Sequence, residues 1–184
     1  MDFKNIRWPM VAIVLVATVA ALGLGQLLYH FQTVDRPLKA FLAGNPEVKS
    51  FNVQNGVDGT VIEVKLGPVS DLRSTYTELE KGLEKVSKAP AKIVVTDDRD
   101  ALLEQAYYKM HFAIQESLQR GTFTAAEDAV AREAAAAQLK TARLYVDSDR
   151  VYLQLADGDH YLYEVFGRLG DKAAQAKTGG KNGL

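Results

Sequence analysis

The chain has 184 residues, 47% of them hydrophobic and 24% charged, with no cysteine and a formal net charge of -1. The missing cysteines exclude a disulfide framework, thiol catalysis and thiolate zinc sites, and the near-neutral balance lacks the basic field of a nucleic-acid binder. Once an apolar N-terminal run and a polar tail are set aside, roughly 140 residues remain, enough for a core without metal or disulfide staples.

Residues 1–7 form a short head carrying Lys4 and Arg7. Residues 8–29, WPMVAIVLVATVAALGLGQLLY, contain no charged side chain. At ~1.5 Å of rise per residue such a helix spans a hydrocarbon core of ~30 Å. The run predicts a single transmembrane helix whose partner is membrane lipid, with Trp8 and Tyr29 at the interfaces. A cleaved signal peptide competes, because Ala20, Ala21 and Gly23 are small enough for processing. Against it, a signal h-region covers about 7–15 residues, whereas this run continues through Leu24, Leu27, Leu28 and Tyr29. Arg36 and Lys39 on the far side weaken the positive-inside bias of Lys4 and Arg7. A short head leading directly into the apolar run is nevertheless the layout of a signal anchor that exports the rest of its chain. The expectation is a single-pass protein of the plasma membrane with its C-terminal part outside the cytoplasm. Ala17, Ala21 and Gly25 recur every four residues and form a candidate stripe for packing against another membrane helix.

Residues 30–46 read as a connector with one short amphipathic helix: Asp35 as N-cap, Pro37 in the first turn, Leu38, Phe41 and Leu42 on one face, Gly44 as the stop. The helix is expected to pack under the adjoining domain. Residues 47–169 predict a single α+β domain of hairpin, helix, strand, two helices and three-stranded antiparallel meander. Phe51 and Val53, then Val61 to Leu66, alternate as strands around Asn55-Gly56 and Asp58-Gly59. Ser70 is placed to cap a helix whose apolar positions are Leu72, Tyr76, Leu79, Leu83 and Val86. Ile93 to Val95 form a buried-type strand, and Asp97, Asp98 and Asp100 then crowd the start of a helix bearing Leu103, Tyr107, Met110, Ile114 and Leu118. Gly121 breaks it. Thr124 and Glu127 have the spacing of a capping box for an alanine-rich helix over 125–137.

The segment ARLYVDSDRVYLQLADGDHYLYEVF holds three alternating runs with turns at Ser148-Asp149 and Asp157-Gly158. Two-residue turns there align Leu144, Leu153 and Leu162 in one row and Tyr145, Tyr152 and Tyr163 in the next. One face is aliphatic and should meet the helices, Leu79 and Leu153 being buried against each other's layer. The other carries Tyr145, Tyr152, Tyr161 and Tyr163 with Gln154. These tyrosines are the candidate interaction surface. Should a helix cover them, the alanine-rich one being the obvious candidate, they would be core instead. Residues 170–184, with three lysines and one aspartate, read as a flexible tail.

No catalytic, cofactor-binding or metal-ligating set emerges. His30, His111 and His160 have no ligand spacing, and the Asp147/Asp149 and Asp157/Asp159 pairs bracket turns where aspartate serves the backbone. The expectation is a non-catalytic interaction or assembly domain of the cell envelope, with a protein partner, self-association included, and no nucleic acid. The alternatives are an extracytoplasmic sensor or ligand-binding module using the tyrosine face, and an envelope enzyme with an unrecognised site.

Overall fold

A computed structural model of the chain describes residues 14–23, 36–56, 59–87 and 91–168. Residues 14–23, called α1, are helical, and every side chain in them is exposed. The rest of the 8–29 run, including Gly25, lies outside the described residues, as do the head and the tail. Among the described residues no helix is long and apolar enough to cross a membrane.

The remaining order is α2 (Arg36–Ala43), β1 (Val48–Gly56), β2 (Gly59–Leu66), α3 (Leu72–Val86), β3 (Ala91–Thr96), α4 (Ala101–Arg120), α5 (Phe123–Ala136), β4 (Thr141–Val146), β5 (Arg150–Asp157) and β6 (His160–Gly167). The architecture is α+β, and the described residues form five helices and two three-stranded sheets, ordered β1-β2-β3 and β4-β5-β6. In the first, β1 and β2 form the expected hairpin, while β3 returns parallel to β2 after α3. Parallel pairing needs a crossover, and α3 supplies it. The two sheets meet at an isolated antiparallel bridge between Asp98 and Tyr161.

Two cores result, one on each face of the second sheet. The first joins Ile62, Val64 and Leu66 of β2 to Leu38 and Leu42 of α2, Leu72, Tyr76, Leu79 and Leu83 of α3, and Tyr152, Tyr161 and Tyr163 of the meander. The second joins Val151, Leu153, Leu155, Leu162 and Phe166 to Leu103, Met110 and Ile114 of α4 and Ala126, Val130 and Ala134 of α5. Leu79 and Leu153 are both fully buried but lie in different cores, which corrects the expectation that each is buried against the other's layer.

Local chemistry fixes the helix ends. Asp71, one residue beyond the expected Ser70, caps α3 by accepting from the Ser74 N–H at 3.0 Å. Asp100 does the same for α4 through Leu103 N–H, and Gly121 ends that helix at a left-handed φ of 72°. The N-cap of α5 is Thr122 rather than Thr124, with no side-chain cap bond. Small side chains at Ala126, Ala129 and Ala134 let α5 lie close on its neighbours while removing less apolar area per residue than leucine would. Helix α2 docks on α3 as expected, the Phe41 ring occupying the space where a Cβ on Gly82 would stand.

The meander register follows the sequence in its first hairpin, where Leu144 opposes Leu153 and Tyr145 opposes Tyr152. The second hairpin differs: Asp157 pairs with His160, so the turn is Gly158-Asp159, Leu155 opposes Leu162 and Gln154 opposes Tyr163. Each partner is two residues from its expected place. Because side chains alternate with a period of two, such a slip leaves every residue on the face assigned to it.

Candidate functional site

The tyrosine face of the meander is internal. Tyr152, Tyr161 and Tyr163 keep 0–2% of their surface exposed and Gln154 keeps 3%. Tyr145, at the edge, is partly buried against the same core. The cover is α3 and the first sheet, whereas α5, the obvious candidate from sequence, lies on the opposite face with α4. Tyr152, Tyr161 and Tyr163 are thus core side chains and Tyr145 packs partly buried at the edge of that core, a correction to the reading of the four as an open contact surface. The reason is tertiary: rings of this size remove large areas from water, and the αβ layer formed by 36–96 presents an apolar face to match.

Polar atoms on that face are used in binding the chain to itself. Gln154 donates from Nε2 to Val69 O at 2.7 Å and accepts at Oε1 from Leu72 N–H at 3.0 Å. The Tyr163 hydroxyl donates to Gly67 O and accepts from Val69 N–H, both at 3.0 Å. These two side chains fasten the loop between β2 and α3 to the meander. Burial pushes the Tyr163 hydroxyl up to about 12. The Tyr152 hydroxyl donates to Asp147 Oδ2 at 2.7 Å and is likewise pushed up to about 12, chiefly by burial and then by that bond. Asp147 Oδ1 accepts from the Asp149 and Arg150 N–H groups, the turn chemistry expected of it. Burial raises the Asp147 carboxyl, but these three bonds outweigh it and hold the group below its ordinary value.

Where the two sheets meet, the acids before α4 do more than start a helix. Asp97, with a side chain 4% exposed, receives both Nε and Nη2 of Arg99 and also caps the Tyr163 N–H at 2.7 Å. Arg99 Nη2 continues to Glu164 Oε1 at 3.0 Å, on the face of β6 that looks toward α4. Burial raises Glu164 against the partial compensation of Arg99. Burial also raises the Tyr107 hydroxyl, which lies 3.1 Å from His111 Nδ1. A signal for this latch existed in the sequence: Glu164 falls in the apolar register of Leu162 and Phe166, and a buried acid needs a cation.

The other sequence candidates are dispersed. Ala17 and Ala21 share the exposed α1, His111 and His160 sit on α4 and at the start of β6, and Gly25 and His30 lie outside the described residues. Among the described residues no group of three His, Cys, Asp or Glu side chains could hold a metal ion. Among the described residues, features open to contact include the exposed aromatic pair Tyr108 and Phe112 on α4, with ring centroids 5.6 Å apart, and a cleft of about 370 Å³ beside Lys49 and Tyr161. No protein-family model, curated protein or solved structure matches this chain.

Proposed function

We propose that the chain is a membrane-anchored interaction or assembly domain of the cell envelope, held in the plasma membrane by residues 8–29 with its α+β part outside the cytoplasm. The observation that carries this reading is α1, in which Val14, Leu15, Val16, Val19 and Leu22 are each 60–70% exposed and no side chain is charged. A helix apolar on all sides needs lipid or another apolar surface around it. Two further observations support it. Helix α2, which comes after the apolar run, is seated on α3 through Leu38, Phe41 and Leu42, so a tether would act on the body of the fold. Tyr108 and Phe112, 65% and 63% exposed, offer an aromatic pair of the kind enriched at protein interfaces.

Reporter fusions after Leu184 test the topology. Activity confined to an extracytoplasmic reporter is expected, activity confined to a cytoplasmic one reverses the orientation, and a mature N-terminus near Leu22 replaces the anchor with a signal peptide. A photoreactive residue at Phe112 tests the interaction in intact membranes. A discrete adduct is expected; its absence would remove α4 as the contact.

A further inference from the structure

The cleft beside Tyr161 is walled by Pro68 and Val69 of the β2–α3 loop and Ala156 of β5, and Gln154 and Tyr163 also line it. Both Gln154 and Tyr163 are engaged with the backbone of that loop, so the groups left to meet a ligand stand elsewhere. Lys49 is the chief of them. Its Nζ donates to the Tyr161 hydroxyl oxygen at 2.6 Å and sits 4.9 Å from the centre of that ring. An ammonium has three N–H donors, so two remain. The Tyr161 oxygen accepts from Lys49, which leaves its own O–H to donate. Contact with the ring holds the ammonium in place, reducing the ordering cost that a free lysine would bring to binding.

The surroundings narrow the ligand. His160, also lining the cleft, has Nδ1 3.1 Å from Asp98 O; a carbonyl only accepts, so Nδ1 carries the hydrogen and Nε2 is the free nitrogen. The Asp98 carboxylate is met by Lys65 at 3.4 Å, and Asp159 lies exposed on the hairpin turn. A compact, multiply charged anion would leave the Pro68, Val69 and Ala156 wall uncovered and bring excess negative charge toward Asp159. A singly charged group with an apolar body suits both. The volume of about 370 Å³ is at the small end for ligand sites.

We propose that this cleft binds a small monocarboxylate with a flat apolar body, its carboxylate taken by Lys49 and the Tyr161 hydroxyl and its body laid against Pro68, Val69 and Ala156. The proposal stands apart from the anchoring and interaction role and does not depend on it. The full chain in detergent micelles, with isotope-labelled tyrosine rings, is titrated with benzoate and, separately, with benzamide, which has the same shape without the charge. A saturable shift of the Tyr161 ring resonance is expected, with benzoate about tenfold tighter than benzamide or better, as for hydrogen bonds to a charged group. Lys49 is exposed, so Lys49→Met should keep the Tyr152 resonance in place while losing the benzoate response, and Lys49→Arg should retain it. The proposal is overturned by no saturable shift in the wild-type chain, by equal binding of benzamide, or by undiminished binding in a folded Lys49→Met chain.

Discussion

A glutamine in the middle of a buried strand is tolerable only if both ends of its amide are used, and Gln154 uses both, on Val69 and Leu72. Tyr163 completes the same fastening. Gln154→Leu and Tyr163→Phe should each cost ~1–3 kcal/mol, because backbone groups of a buried loop lose their partners. Hydrogen exchange separates this from a general loss of packing. The Leu72 amide should exchange faster in the first variant and the Val69 amide in the second, relative to amides of α4; unchanged exchange at both would show that the loop is held by packing alone. Two acids give opposite pH effects. Asp147 titrates below 3.8, burial being outweighed by its hydrogen bonds, so its contribution is present above 3.8 and lost as pH falls through the folded value. Glu164 titrates above 4.5 because it is buried, so stability declines as pH rises from 4.5 through the folded value. Denaturant midpoints across pH should show Asp147→Asn flattening the acid limb and Glu164→Gln flattening the decline above it.

Helices and strands coincide with sequence periodicity because the two faces of each differ and the spacing of 3.6 or 2 is written in the apolar positions: Leu72, Tyr76, Leu79 and Leu83 for the buried face of α3, and Val151, Leu153 and Leu155 for the aliphatic face of β5, whose tyrosine-bearing face is buried as well. Their ends were legible to within a residue or two, since Asp71 and Ser70 are both competent caps and only the tertiary path chooses between them. The second meander turn slipped because Asp157-Gly158 and Gly158-Asp159 are both good turn pairs, yet the faces survived. Gly82 had no reading from sequence. In an isolated helix an alanine there would be better by about 1 kcal/mol. Here the added methyl meets the Phe41 ring, so Gly82→Ala should destabilise the fold, and a Phe41→Ala background should restore the ordinary preference for alanine. If Gly82→Ala stabilises the otherwise unchanged chain, α2 is not seated on α3 through that ring.

At the scale of the whole molecule, what the sequence left open was which layer covers which face. An alternating strand states that it has two faces, and Tyr152 or Tyr163 suits either a wet surface or a lined interior. The choice came from residues roughly 70 to 100 positions earlier, in α3 and β2, which no local pattern in the meander reports. The candidate site was less legible still, since Lys49 meets Tyr161 across 112 positions. The two cores make a direct prediction. Leu79→Ala and Leu153→Ala should each cost ~2–5 kcal/mol. Lying in separate clusters on opposite faces of one sheet, they should add to within ~0.5 kcal/mol in the double variant. A strong coupling measured by denaturant unfolding would show that the two cores act as one.

The placement of the second sheet between those cores also sets an order of events during synthesis. The layer built from 36–96 is complete in sequence well before β6 ends at Gly167, roughly 70 residues later. At roughly 5–20 residues per second the nascent chain spends several seconds with the Leu79 face of α3 uncovered. The tyrosine-bearing strands that close it are among the last parts of the fold to be made. Until those strands emerge, the apolar face of α3 lacks the tyrosine-bearing layer that covers it in the finished fold.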